Sequence, residues 1–419
     1  MNTCVITSYC NCCSFIFTIV STITLLLYKV NYGFDSGRYM PMPMEELPEQ
    51  TATPMLLTPC NPSKSAHDMP CSGASSVTVH VYALPPEFEK DITSEYIQCE
   101  KNQWAFEVHL PRMFRRLPKM KSPDNADFYL VPFPVKCYNN FVALRDKSLV
   151  DKHFTKLIHW LNVTHPWFQK SGGGDHIFIF PSGQGSAIFP SSERYIKSSI
   201  YILAEGDRSR MNSNAFKDVI VPGFSKVSMI EQVSSQHRDL LAVFRGQNFM
   251  HVSSFNGTRF RVESALRTAL IEVLQSSDGV IATNKRIWGK AYENEVRRAK
   301  FLLCPRGITP WTRRVFDAIL MGAVPVIISD DVQFPFEAFL DWSLFTVKIS
   351  EARAIEPRYV EDKLRSMVSS GLYEEKVRAL RHVRSFFDWT SPKVMDLLLC
   401  ELDRRKRLFK HGSLRTWDQ

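Results

Sequence analysis

Three arginines, Arg306, Arg313 and Arg314, crowd the stretch CPRGITPWTRRVFDAILMGAVPVIISDD. A guanidinium binds phosphate oxygens as a two-pronged fork, so three of them together are candidate ligands for a diphosphate. Their setting strengthens this reading. Phe301–Cys304 is a short apolar run of the buried-strand type, and Pro305-Arg306-Gly307 is a turn. Thr309 is a good helix N-cap and Pro310 suits the first helical position. Val315, Phe316, Ile319 and Leu320 recur at helical spacing, and Gly322 stands where a helix end takes a left-handed residue. Ala323–Ser329 is the next apolar strand. A helix N-terminus carries positive partial charge and unpaired N–H groups, which disfavours Arg313 and Arg314 there unless an anion joins them. The other reading is that these arginines are solvated or paired with Asp317 and Glu337, and spacing alone does not choose.

Strand, loop, helix and strand in that order form the unit of a parallel sheet, and the rest of the chain repeats the pattern. Val77, Val79 and Val81 alternate with polar residues, and Asp127–Phe133 and Ile177–Phe180 are further apolar strands. Helical stretches lie at Trp104–Met113 and Phe154–Trp167. Val219–Val221 closes this first series. Leu240–Phe244 opens a second, with Arg245 and Gly246 at the carboxyl end of the strand, the edge where open α/β sheets bind ligands. Val262–Leu274 and Tyr292–Arg298 are helical, Val360–Phe387 is helical and charged, and Pro392–Lys410 forms the last helix. Its run Arg404, Arg405, Lys406, Arg407 reads as a solvated face.

The ordered series CPRG, TRRVFDAI, GAVPVIISD, PFE and DWS, preceded by VYALPPEF, ADFYLVPF, GGGDH, DVIVPGF and FRG, resembles the exostosin-like family, glycosyltransferase family 47, over most of the chain after about residue 77. The resemblance implies an α/β fold of the GT-B type, with two Rossmann-like lobes facing a cleft, preceded by an N-terminal transmembrane helix and stem. It implies transfer of a sugar from a nucleotide sugar, a UDP-sugar, with inversion. Residues 1–28 are then a short tail and membrane anchor and 29–76 a stem. Residues 77–235 form the acceptor-side lobe, 236–390 the nucleotide-sugar lobe and 391–419 a terminal helix and tail, which in GT-B enzymes often returns to the first lobe.

Under this resemblance the nucleotide sugar is held by Arg245, Gly246, Arg306, Gly307, Thr309, Arg313 and Arg314, and Glu337 of the PFE motif accepts hydrogen bonds from the ribose. The acceptor hydroxyl needs a base, for which Asp175, His176 and Glu107 are the candidates. Gly172–Gly174 lets backbone approach a ligand beside Asp175 and His176; otherwise it is a plain loop with His176 packed on its strand. Asp330-Asp331 lacks Asp-x-Asp spacing, and no cysteine or histidine pattern has zinc spacing, so neither metal nor cofactor is expected.

The chain has 419 residues with a net charge of +9, enough length for two cores and a balance that points to anionic partners. No nucleic-acid motif accompanies the charge. Residues 4–27 carry no charge and are long enough to cross a bilayer, and no basic n-region or cleavage pattern marks a signal peptide. The family points to a single-pass type II Golgi protein. In that lumen Asn162 and Asn256 are glycosylation acceptors, and Cys60, Cys71, Cys99, Cys137, Cys304 and Cys400 are disulfide candidates. Cys10, Cys12 and Cys13 read as small apolar residues of the span. Two functions are open: a transferase acting on a polysaccharide or glycan acceptor, in a complex with other Golgi glycosyltransferases or alone, and a non-catalytic partner that stabilises or localises one.

Overall fold

The computed structural model describes residues 77–88, 96–117, 122–208, 214–225, 238–255 and 258–411. All belong to one compact unit, Cys60–Gln419. The expected anchor, the stem, Cys60, Cys71 and Asn256 lie outside the described residues. Among the described residues no helix is long and apolar enough to cross a membrane.

Two five-stranded parallel sheets carry the fold. The first runs β1 (Val79–Val81), β2 (Phe128–Leu130), β3 (His176–Phe180), β4 (Ile200–Leu203) and β6 (Val219–Ile220), in that spatial order. The second runs β10 (Val280–Thr283), β7 (Leu240–Arg245), β11 (Ala299–Pro305), β12 (Val324–Ile328) and β14 (Val347–Ile349). Period-2 alternation sends successive side chains to opposite faces, and both faces are covered. In β3, Ile177 and Ile179 enter one apolar cluster while Phe178 and Phe180 enter another. In β11, Leu302 and Cys304 face the cluster that takes Ile177, while Phe301 and Leu303 face a third. One core therefore runs continuously from the first sheet through the helix Arg314–Met321 to the last helix.

A two-stranded antiparallel ribbon also ties the lobes: β5 (Gly206–Asp207) pairs with β13 (Val332–Gln333). Gly206 is required there, because a Cβ would meet the Gln333 carbonyl oxygen at 2.6 Å. β8 (Phe249–Phe255) and β9 (Thr258–Glu263), which the sequence reading did not foresee, form a hairpin. The helix expected from Val262 begins at Ala265 after the Ser264 cap. The expected helix over 360–387 breaks at Gly371, whose φ is 81°.

Three expectations need correction. The helix after the CPRG turn starts at Arg314, not at Thr309: Arg313 occupies the N-cap without a side-chain cap bond, while the Gly322 end is left-handed as expected, φ 75°. Cys304 is free and buried, because β11 places it in the core. Cys99 and Cys137 are bridged, and Cys400 is also disulfide-bonded. Finally, the basic run of the last helix, Lys393–His411, is not simply solvated. Arg405 is buried, paired with Glu401 and donating to the Asp218 carbonyl, and Lys406 reaches Asp127 at 2.8 Å. The helix returns to the first lobe.

Candidate active site

In a parallel sheet the loops that leave the carboxyl ends of the strands build the site. At that edge of the second sheet, Arg245 ends β7 and Arg306 follows β11. Arg314, in the first turn of its helix, turns back to them. Its Nη2 and Nε donate to the Arg245 carbonyl at 2.7 and 3.2 Å, and its Nη1 donates to the Thr312 hydroxyl at 3.3 Å. Its guanidinium also lies over the Phe244 ring, 5.2 Å from the centroid. Gly246 makes this approach feasible, since a Cβ there would stand 2.3 Å from Arg314 Nη2.

Two arginines that the sequence reading passed over join the group. Arg267 donates from Nε to the Arg306 carbonyl at 2.9 Å, from Nη1 to Gln247 at 2.8 Å and from Nη2 to Pro305 at 3.4 Å, which fixes the CPRG turn and Gly307 within it. Arg286 stacks on Trp288, 3.9 Å from the ring centroid. Some of these cations have carboxylates: Arg245 bonds Glu295 at 2.6 Å, Arg313 reaches Asp317 at 3.4 Å and Arg306 reaches Glu351 at 3.5 Å. Among the described residues no carboxylate pairs with Arg267, Arg286 or Arg314. Burial, and then the charge of Arg314, pull the Arg267 guanidinium down to about 10. Arg286 is lowered too, by burial and by Arg314 and Arg313. Like charges held this close, without acid, favour an anion among them. An arginine on an amphipathic helix such as Ala265–Leu274 gives no sign in sequence that it will reach a distant turn.

The first sheet contributes carboxylates at its own carboxyl edge. Glu205 follows β4, is 9% exposed and accepts from the Thr309 hydroxyl at 2.7 Å and from the Gly183 N–H. Thr309 therefore bonds across the lobes instead of capping its helix. Gly183 has no room for a side chain, with Glu205 Oε2 and Thr309 Cγ2 each 2.3 Å from where a Cβ would be. Lys136 follows β2, donates to Gln184 Oε1 at 2.6 Å and sits over Trp104. Its charge acts on both Glu205 and Glu107. Glu107 is buried, and its two oxygens accept the N–H groups of Lys136 at 3.0 Å and Cys137 at 2.8 Å. Burial pushes Glu107 up to about 8, and pushes Glu205 up as well.

Asp175 and His176 lie elsewhere. They stand at the amino end of β3, where His176 is level with Tyr129 in β2, at the opposite end of the sheet from Glu205. His176 is fully buried, its Nδ1 2.7 Å from Asp175 Oδ1 and its Nε2 2.7 Å from the Tyr82 hydroxyl, and it stacks on Tyr82 and Tyr129. Burial lowers its pKa. This is a packed aromatic cluster, and the pair does not join the cleft residues.

Glu337 is brought to the interlobe ribbon. It follows Phe336, a buried residue at φ 57°, and both its oxygens accept from Arg208 of the first lobe at 2.7 Å. Oε1 also accepts the Phe334 N–H at 2.9 Å. Asp330 is turned to the Glu351 backbone at the ends of β12 and β14.

The Exostosin GT47 domain matches residues 73–364, well over half of the chain. The chain belongs to the Exostosin GT47 domain family. Among curated relatives it is 25% identical over 297 residues to a probable glucuronoxylan glucuronosyltransferase, IRX7, of Arabidopsis thaliana, covering 66% of this chain and 64% of that one. It is 28% identical over 292 residues to a probable arabinosyltransferase, ARAD1, of the same plant, covering 65% and 60%. The chain thus spans somewhat less than two thirds of the length of these Exostosin GT47 relatives. A solved glycosyltransferase from Rickettsia africae ESF-5 aligns over 80% of this chain and 98% of its own at 10% identity with a TM-score of 0.38, too weak a likeness to argue from.

Proposed function

We propose that the protein is an inverting glycosyltransferase of GT-B architecture that moves a sugar from a UDP-sugar to a polysaccharide or glycan acceptor in the Golgi lumen, as a type II membrane protein. The observation that carries this is the group Arg267, Arg286 and Arg314 at the carboxyl edge of the second sheet, cations brought together with no carboxylate partner among the described residues. The leaving group of a nucleotide sugar is a diphosphate, and prearranged cations stabilise the charge that develops on it without a metal. Membership of the Exostosin GT47 family and the names of the sugar-transferring relatives support the same reading. The bridged Cys99–Cys137 pair fits an oxidising lumen. In this scheme Arg245, Arg306 and Arg313 act with Arg267, Arg286 and Arg314, Gly307 keeps the turn close, and Glu337 meets the ribose when Arg208 Nη2 releases one of its two oxygens.

The test is a panel of UDP-sugars and other nucleotide sugars added to detergent-purified full-length chain. UDP and one UDP-sugar should raise the melting temperature, and that sugar should then be transferred to plant or animal glycan acceptors. A cooperatively folded protein stabilised by no nucleotide overturns the proposal.

A further inference from the structure

The carboxyl edge of the first sheet holds more buried acid than the fold needs. Among the described residues, Lys136 is the cation whose charge acts on Glu205, and it acts on Glu107 as well while donating to Gln184. Two buried acids thus share one ammonium. Glu107 has a structural duty, for its two oxygens hold the N–H groups of Lys136 and Cys137. Glu205 does not cap any helix. It points across the cleft, to the loop that carries Arg306 and Arg313. The hydroxyl it already accepts from, Thr309 Oγ1 at 2.7 Å, is an aliphatic alcohol at the distance a reacting alcohol must adopt.

We propose that Glu205 is the general base that takes the proton from the acceptor hydroxyl, with Thr309 standing where that hydroxyl arrives. This rests on the transfer reading above. The acceptor oxygen forms a bond to the anomeric carbon and its proton passes to a Glu205 carboxylate oxygen. The bond from the anomeric carbon to the diphosphate oxygen breaks, and its electron pair leaves with the diphosphate among the arginines. Burial biases Glu205 towards holding a proton, which makes it a stronger base than a solvated carboxylate.

Glu205→Gln removes the base but keeps an amide that can still bond the Thr309 hydroxyl, whereas Thr309→Val deletes that bond and keeps the base, so together they separate chemistry from structure. For each full-length variant, transfer from the UDP-sugar found active, UDP affinity by calorimetry and melting temperature are measured. Glu205→Gln should keep UDP affinity within a few fold and lose on the order of a hundredfold or more in kcat. Thr309→Val should lose far less. The wild-type kcat should rise with pH through one ionisation and level off. That limb should vanish in Glu205→Gln; the groups facing Glu205, namely Lys136, the Gly183 N–H and the Thr309 hydroxyl, are unchanged in it. Equal losses in the two variants, or a rising limb retained in Glu205→Gln, overturn the base. A wild-type chain that binds no UDP overturns instead the transfer reading on which it rests.

Discussion

Arg208 grips both carboxylate oxygens of Glu337 at 2.7 Å, across the ribbon that joins the two lobes. The pair is partly exposed, with 52% and 28% of the two side chains open to solvent, so its worth is about 0.5–1 kcal/mol. A double-mutant cycle with Arg208→Ala and Glu337→Ala should return a coupling of that size in urea unfolding. Glu337→Gln should also weaken UDP binding, but by no more than about tenfold, because Arg208 and Phe334 already use most of the carboxylate. Additive unfolding energies would mean that the fork is idle in solution.

Gly246 and Arg314 are predicted to fail together. In Gly246→Ala the new methyl meets Arg314 Nη2, the far end of a flexible side chain that must swing away, and presses on the buried Phe244 ring at 3.0 Å. The arginine then leaves the Arg245 carbonyl and the cleft. Transfer should fall by roughly a hundredfold, as in Arg314→Ala, where a charge-assisted contact worth on the order of 2–4 kcal/mol is lost. Normal turnover in folded Gly246→Ala protein would remove Arg314 from the donor site.

Stability should fall as pH rises from about 4.5 towards 8. The buried Glu107 carboxyl is pushed up from its ordinary 4.5 to about 8, so the folded chain holds its proton more tightly than the unfolded one. That advantage is complete below the unfolded value and is lost as pH climbs through the folded one, at a slope approaching about 1.4 kcal/mol per pH unit in mid-window. Glu205 and Asp218, also raised by burial, add the same sign. Glu107→Gln should be less stable throughout, since an amide cannot accept both backbone N–H groups, yet its decline with pH should be shallower. Denaturation curves over that range read the slope, and an unchanged slope would refute the assignment.

The Cys99–Cys137 bridge closes a separation of 38 residues, for which chain entropy alone gives about 4 kcal/mol. It also fixes the start of the segment that Glu107 caps. The Cys99→Ser, Cys137→Ser double variant should therefore lose melting temperature and transfer together. Alkylation of the unreduced, denatured chain should label Cys304 but none of Cys99, Cys137 and Cys400.

Asn162 lies near the end of the helix Lys147–Thr164, beside the exposed Val163 and Thr164. A lumenal chain should carry glycan there. Enzymatic removal of N-glycans should speed the cellular protein on a gel, and Asn162→Gln should reduce that shift. No shift, with residues beyond Lys29 open to cytosolic protease, would place the chain on the other side of the membrane.

Where neighbours in sequence are neighbours in space, the sequence was easy to read. Phe301–Cys304, the stripe Val315, Phe316, Ile319, Leu320 and the left-handed Gly322 come out as expected because strand period, helix period and cap are local properties. Thr309 shows the limit. Followed by proline, it has the look of a cap, but its hydroxyl is claimed by Glu205, 104 residues away. Glu205 itself sits in an unremarkable LAEGD at a strand end, and nothing nearby shows that another lobe covers it. Asp175 and His176 drew notice through their glycines, whereas strand register assigns them to the wrong edge of the sheet. Arg405 looked solvated because a run of four cations says nothing about which one turns inward.

The last helix sets the order in which the molecule can be finished. Asp218, at the start of the first lobe's edge strand, takes a donor from Arg405, 187 residues further on, and Leu397, Leu398 and Leu402 fill the core beneath that lobe. A lobe synthesised early usually folds as it leaves the ribosome. Here the early lobe leaves the ribosome with its apolar underside still bare, and it must wait for nearly the whole second lobe to be translated. During that interval the half-made chain is a natural client for chaperones. Shortening the chain before residue 393 would leave that wait without an end.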